Sequence, residues 1–334
     1  MPGKIVLEEH FALPDTIDDS ERYFTPDAWP TMRRRLLDFH EERIRQMDRF
    51  GIQLALVSLN APGVQSVLDA RQAIDLSQRA NDFLAEQVRK DPARFQGLAA
   101  LPMQDPDAAA QELTRCVAEL GFRGALVSGF SQIGSPDSVA YYDQREYWPF
   151  WETVEKLAVP FYLHPRDVLP SQARIYEGHP WLFGAPWSFG VETAGHALRL
   201  MGSGLFDAYP KLTIVLGHLG EGLPPAIWRI DHRIAKAPRG IPAKKKLADY
   251  LRQNFYVTTS GNFCTGTLQN AIQELGASRI MFSVDYPFED FGEAAEWFDN
   301  LNLSGEERSK IGSGNAEALF KLRTATPALQ GAKE

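Results

Sequence analysis

The feature that most constrains this chain is a rhythm of eight short apolar runs, separated by segments of helical period. The runs cover residues 4–9, 54–59, 96–101, 124–127, 159–163, 212–216, 255–259 and 280–284. Most are rich in Val, Ile, Leu, Phe or Ala, as strands buried on both faces must be. Between them, residues 34–50 set Leu36, Leu37, Ile44 and Met47 toward one side, and residues 108–120 and 148–157 behave alike. Strand alternating with helix predicts a parallel sheet joined by right-handed crossovers. Eight such units in 334 residues favour a closed α/β barrel, the (β/α)8 or TIM barrel, over an open doubly wound sheet. No G-x-G-x-x-G follows any run, which also argues against a dinucleotide fold. No low-complexity linker divides the chain, so the reading is one domain over residues 1–334.

Three connections are too long for plain βα loops: residues 9–30, 130–147 and 165–190. The last is dense in Pro and Trp (Pro165, Pro170, Pro180, Trp181, Pro186, Trp187). Insertions at the carboxyl ends of barrel strands build lids, substrate pockets or oligomer contacts. Residues 324–334 carry no periodicity and read as a frayed or wrapping tail.

Composition excludes several partners. The net charge is -8 and no long basic run occurs, so nucleic acid is not an expected partner. The Lys244-Lys245-Lys246 cluster reads as solvated surface. No apolar run reaches the ~18–20 residues of a membrane span. Only two cysteines occur, Cys116 in a helical pattern and Cys264, which is no disulfide framework. With no leader-like amino terminus, the expectation is a cytoplasmic protein.

Chemistry is concentrated where the apolar runs end. The first run ends in Glu8-Glu9-His10, the fifth in His164, the sixth passes through Gly217 to His218, and the eighth ends in Asp285. Buried ionisable groups are costly unless paired or bound to a metal. Glu8 and His10 are two apart and share one side of a strand. Glu8, His10, His164 and Asp285 offer two imidazoles and two carboxylates, a set suited to Zn²⁺ or Mn²⁺ and less to Mg²⁺. A lone strand-end histidine is more often a satisfied core residue; four ligand-type residues at three strand ends point to a metal. His218 lies among glycines with Glu221 close behind, an arrangement that makes His218 a candidate acid or base oriented by Glu221. Alternatively the pair caps the next helix. Arg229 and Arg166 could each read an anionic substrate or serve as structural arginines. Phe189, Trp187, Tyr286 and Phe288 could flank a flat ligand or belong to the core.

These residues sit in stretches that resemble a known family. They are Gly3-Lys4-Ile5-Val6-Leu7-Glu8-Glu9-His10-Phe11, Leu59-Asn60-Ala61-Pro62, Leu163-His164-Pro165-Arg166, Gly217-His218-Leu219-Gly220-Glu221, Thr258-Thr259-Ser260-Gly261 and Val284-Asp285-Tyr286-Pro287-Phe288. Together they resemble the amidohydrolase-2 branch of the metal-dependent amidohydrolases, and within it the non-oxidative hydroxybenzoate decarboxylases. The Glu-x-His opening, in place of His-x-His, marks this branch. The resemblance implies an amidohydrolase-type barrel with its site at the carboxyl ends of the strands. It implies that Glu8, His10, His164 and Asp285 hold a divalent metal. It implies catalytic roles for Asp285, His218 and Glu221, and substrate contacts from Arg229, Phe189, Phe288, Asn60 and Ser128. Ser128 stands where relatives acting on 2,6-dihydroxybenzoate often carry Asn, and its shorter hydroxyl leaves that contact to water. The implied reaction is decarboxylation of an ortho-hydroxybenzoate, 2,6-dihydroxybenzoate first, with salicylate, 2,3-dihydroxybenzoate or a hydrolytic reaction as alternatives. The implied partners are a small aromatic carboxylate and further copies of the chain, as a homotetramer or homodimer.

Overall fold

A computed structural model describes residues 3–322; the tail at 324–334 lies outside the described residues. Eight strands follow the expected order: β1 (Lys4–Phe11), β2 (Ile52–Leu59), β3 (Phe95–Gly97), β4 (Ala125–Ser128), β5 (Phe161–His164), β6 (Ile214–Leu216), β7 (Phe255–Thr258) and β8 (Ile280–Met281). All pair in parallel and in chain order, as β1-β2-β3 and β4-β5-β6-β7-β8. A parallel bridge between Ala99 and Ala125 joins the two runs. The ring closes from β8 to β1 through side-chain and irregular bonds. Ser283 Oγ accepts the N–H groups of Leu7 at 2.9 Å and Glu8 at 2.8 Å, and His10 N donates to the Tyr286 carbonyl at 2.7 Å. The architecture is the (β/α)8 TIM barrel.

The barrel interior is filled by side chains. Ile5, Leu7, Leu56, Leu126, Tyr162 and Val215 form one buried cluster, joined by Ala316 and Phe320 of the last helix, Asn315–Phe320. Val6, Ala55, Val57 and Val127 face outward, into the layer shared with the helices. Each large aliphatic side chain so buried contributes roughly 1.5–3 kcal/mol.

One helix expectation is corrected. Residues 34–50 do not form a single helix but fall into two, Trp29–Leu37 and Glu42–Phe50. Asp38 breaks the run: its backbone is extended, and its carboxylate accepts the N–H groups of Glu41 at 3.0 Å and Arg43 at 2.7 Å. An aspartate that satisfies the orphan donors of a helix start competes with helix continuation.

The long connections carry short 3₁₀ turns, Ile17–Tyr23, Pro170–Tyr176 and Pro180–Leu182, and an antiparallel bridge between Ser131 and Ala140. Ile175 and Trp181 are 76% and 66% exposed on them. Among the described residues, no helix is long and apolar enough to cross a membrane.

The connection at 130–147 is fastened by His196, whose Nε2 accepts the Tyr142 N–H at 3.1 Å. Burial, aided by the nearby Arg199 charge, pushes this imidazole down to about 3. The folded protein therefore holds it neutral, while the unfolded chain takes up a proton below the ordinary value near 6.5. Stability is complete above pH 6.5 and drains as pH falls toward 3, by about 1.4 kcal/mol per pH unit from this group. In urea titrations between pH 6.5 and 5, His196→Gln is expected to show a shallower loss of stability than wild type. Equal slopes would contradict this.

Candidate metal centre

The first strand carries a bulge that builds the site. Val6 pairs with Ala55 and Glu9 with Val57, so β1 holds one extra residue there. The bulge breaks alternation. Leu7 and Glu8 both turn into the barrel, and His10 follows two residues on. The two adjacent N–H groups this creates, of Leu7 and Glu8, are those taken by Ser283 Oγ.

Glu8, His10, His164 and Asp285 come together: one ligand atom from each lies within 4.8 Å of all the others. His10 Nε2 is 3.1 Å from Asp285 Oδ1, and His164 Nε2 is 3.3 Å from Glu8 Oε1. Three of the four groups have their far side fixed. His10 Nδ1 lies 3.3 Å from Ser58 Oγ, and His164 Nδ1 bonds the Pro165 carbonyl at 2.8 Å. Such bonds select the tautomer whose Nε2 lone pair faces the centre. Glu8 Oε2 accepts from the hydroxyls of Tyr162, Thr258 and Ser260. Its other oxygen, Oε1, is buried without a hydrogen-bond partner, as are His10 Nε2 and Asp285 Oδ1. Three orphaned buried atoms converging on one point are what a bound cation would satisfy. Two nitrogens and two carboxylate oxygens fit a divalent ion such as Mn²⁺ or Zn²⁺.

The electrostatics agree. Burial, with His10 beside it, holds the His164 imidazole well below its ordinary value, so it is neutral and able to ligate. Burial pushes the Glu8 carboxyl up, against the pull of His218. Burial acts the same way on Asp285, but the His10 and His218 imidazoles beside it outweigh burial and hold that carboxyl below the usual range. The neighbouring Glu9 carboxyl is pushed up to about 8 by burial, opposed by the Val284 N–H and the Arg43 charge.

His218 is aimed at the same point by unusual backbone. His218, Leu219, Gly220, Glu221 and Gly222 have φ of 53°, 57°, 88°, 55° and 75°. A left-handed stretch costs a non-glycine residue roughly 1–2 kcal/mol. It brings His218 Nδ1 to 2.7 Å from Glu221 Oε1. His218 Nε2 then lies 3.6 Å from Asp285 Oδ2 and 3.9 Å from Glu8 Oε1. Burial opposes its charge, but Glu221 and Glu8 raise the imidazole well above its ordinary value. The pair does not cap the following helix, Leu223–Lys236, which starts at Gly222 without a side-chain cap.

The remaining candidates are more scattered. The Phe288 ring lies 5.5 Å from His10 and stacks at 6.1 Å on Phe24, making an aromatic wall beside the centre. Phe189 is half-buried at the start of the helix Ser188–Gly202. A Cβ on the next residue, Gly190, would stand 3.2 Å from Glu221 Oε2. Asn60 is buried with its amide on Ser20 Oγ at 2.6 Å. Ser128 is buried in register with His164. Arg229 is exposed on its helix and makes no hydrogen bond or ion pair among the described residues. Arg166 is structural: it bonds the carbonyls of Phe130 at 2.7 Å and Gln65 at 3.1 Å and lies over the Phe130 ring. Tyr286 is core, stacked on Phe291 at 4.6 Å, and Trp187 is 57% exposed. Sequence reasoning missed the hydroxyls that grip Glu8. The signal was present, since Tyr162 stands two before His164 and Thr258 two before Ser260, at same-face spacing.

A family model for the amidohydrolases matches residues 10–322. A gamma-resorcylate decarboxylase of Polaromonas sp. is 60% identical over 96% of this chain and 99% of its own length. One of Rhizobium radiobacter is 56% identical over the same shares. Among solved structures, a dihydroxybenzoic acid decarboxylase of Polaromonas sp. with bound manganese and 2-nitroresorcinol superposes with a TM-score of 0.94 at 60% identity, over 96% of this chain and 97% of that one. A 2,6-dihydroxybenzoate decarboxylase complexed with 2,6-dihydroxybenzoate superposes with a TM-score of 0.95 at 56% identity, over 96% and 100%. The chain belongs to the amidohydrolase family, in the branch that holds the gamma-resorcylate decarboxylases.

Proposed function

We propose that this protein is a metal-dependent carboxy-lyase that converts 2,6-dihydroxybenzoate to resorcinol and carbon dioxide, reversibly and without an oxidant. The observation that carries this reading is the convergence of Glu8, His10, His164 and Asp285 with three unpartnered ligand atoms, beside His218. The relatives' names and the manganese and 2,6-dihydroxybenzoate in two of their structures support it. We further infer a cytoplasmic homo-oligomer, tetramer or dimer, with one barrel domain over residues 1–334.

Glu8, His10, His164 and Asp285 would hold the cation, Mn²⁺ or Zn²⁺ in preference to Mg²⁺. Bound there, it would supply Lewis-acid charge that polarises and orients the substrate. The chain's own residues handle the proton. Expelling carbon dioxide directly from the ring leaves an aryl anion, so the carboxyl-bearing carbon is protonated first. Asp285 is the donor to that carbon, and His218 the alternative donor or the group that takes the hydroxyl proton. Asp285 rests ionised, so its proton comes from the substrate's ortho hydroxyl or from His218. The C–H bond forms, the C–C bond breaks, and its electron pair restores the aromatic ring. One proton is consumed per carbon dioxide released and is replaced from water. Phe288 and Phe189 flank the ring, Asn60, Ser128 and Arg229 complete the substrate contacts, and residues 165–190 exclude water.

Glu221 acts through His218. Glu221→Gln keeps the shape but removes the charge that steadies the imidazole, and is expected to lower kcat about 10- to 100-fold with KM changed little. Steady-state kinetics check it; an unchanged kcat contradicts the assignment. Chelation of the metal is expected to abolish turnover and Mn²⁺ to restore it. Full activity in protein shown by elemental analysis to be metal-free would overturn the proposed function.

A further inference from the structure

The barrel closes where its metal site is weakest in regular structure. β8 ends at Met281, four residues before Asp285, and no ladder joins it to β1. Two buried ionisable residues with no place in the reaction fill this seam. Glu9 is fully buried between the ligands Glu8 and His10, and by alternation points away from them. One of its oxygens accepts from Ser283 Oγ and Val284 N, both at 3.2 Å; the other accepts from Tyr286 N at 3.1 Å. The two N–H groups flank Asp285, whose φ of 82° is a conformation few side chains adopt unaided. Thr259 secures the near side, its Oγ1 donating to the Ser283 carbonyl at 2.8 Å and accepting the Ser283 N–H at 3.0 Å.

Arg43 works from the other flank. It is fully buried, and its Nη2 donates to the His10 carbonyl at 2.5 Å while Nε donates to Asp38 O at 3.1 Å. Its guanidinium lies 4.9 Å from the Tyr286 ring centroid and 5.3 Å from that of Phe39. His10 N in turn donates to Tyr286 O at 2.7 Å. The backbones that carry His10 and Asp285 are thus held by one clasp, with Glu9 on one arm and Arg43 on the other.

We infer that Glu9 and Arg43 are positioning residues that set the spacing of His10 and Asp285, and through it the affinity of the site for its metal. The inference rests on the proposed metal site. Closing the barrel alone would need neither buried side chain, since Ser283 already bridges β1 and the β8 end. Glu9 instead bonds the residues on both sides of a ligand, and Arg43 bonds a ligand's own carbonyl.

The test is Mn²⁺ binding by full-length protein, followed by electron paramagnetic resonance at a temperature where circular dichroism shows the fold intact. Wild type comes first: if it binds no Mn²⁺, the metal reading itself fails. If it binds, Glu9→Gln, which turns an amide N–H toward a backbone donor, is expected to weaken Kd by at least about tenfold, the usual scale for groups that orient ligands. Arg43→Lys, which keeps the charge but loses the planar guanidinium that bonds both the His10 and Asp38 carbonyls, is expected to do the same and serves if Glu9→Gln does not fold. In an Asp285→Asn background the effect of Glu9→Gln is expected to shrink to less than about twofold, because the ligand it positions is already impaired. Wild-type affinity in the folded variants, or an equal loss in both backgrounds, would overturn the inference and leave the pair as a seam alone.

Discussion

Asp285→Asn is expected to reduce kcat/KM by at least about 10³-fold while the fold survives. The variant removes one charge from the metal site and the proposed proton donor together. Loss of a general acid alone costs about 10²–10⁴-fold. The fold should tolerate the change because asparagine, like aspartate, accepts positive φ, and residue 285 sits at 82°. Its neighbours are held independently, Val284 and Tyr286 by Glu9. The measurement pairs turnover with metal content and thermal unfolding. Activity near wild type would remove Asp285 from the chemistry, and collapse of the fold would show that its role is structural.

Gly217→Ala is expected to damage the same site through one methyl group. A Cβ at Gly217 would stand 2.7 Å from Glu8 Oε2 and 2.8 Å from Oε1. The carboxylate cannot retreat, because Tyr162, Thr258 and Ser260 fix it from behind. Gly217 is not among the residues with positive φ, so alanine meets no backbone penalty and the clash acts on the ligand. Overpacking of this kind costs about 1–3 kcal/mol of stability. The larger effect falls on the metal: a Mn²⁺ Kd at least about tenfold weaker, with turnover lost in proportion. Unchanged Mn²⁺ affinity in a folded Gly217→Ala protein would show that Glu8 is not a ligand.

The barrel was legible because parallel strands covered on both faces are apolar runs, and eight of them leave little else to build. The meeting of Glu8, His10, His164 and Asp285 was legible because barrels gather strand ends at one face. Less visible were features that depend on irregular backbone. The β1 bulge turns both Leu7 and Glu8 inward, and no pattern of residue types announces it. The left-handed turn at His218–Gly222 was hinted at by its glycines, but His218, Leu219 and Glu221 adopt it without being glycine. The helix break at Asp38 was missed because Leu36, Leu37, Ile44 and Met47 hold helical spacing across it. The parts proposed for Phe189, Asn60, Ser128 and Arg229 depend on where a ring sits between loops, which periodicity does not encode.

The central claim is that this site decarboxylates 2,6-dihydroxybenzoate with the metal held by Glu8, His10, His164 and Asp285. Its most direct test is the loss of 2,6-dihydroxybenzoate absorbance with purified, Mn²⁺-loaded protein, with products identified and salicylate and 2,3-dihydroxybenzoate run alongside. Expected are resorcinol and carbon dioxide in equal amounts, with 2,6-dihydroxybenzoate the best of the three substrates. No turnover of any of the three by fully metal-loaded protein would contradict it and direct the search toward hydrolysis.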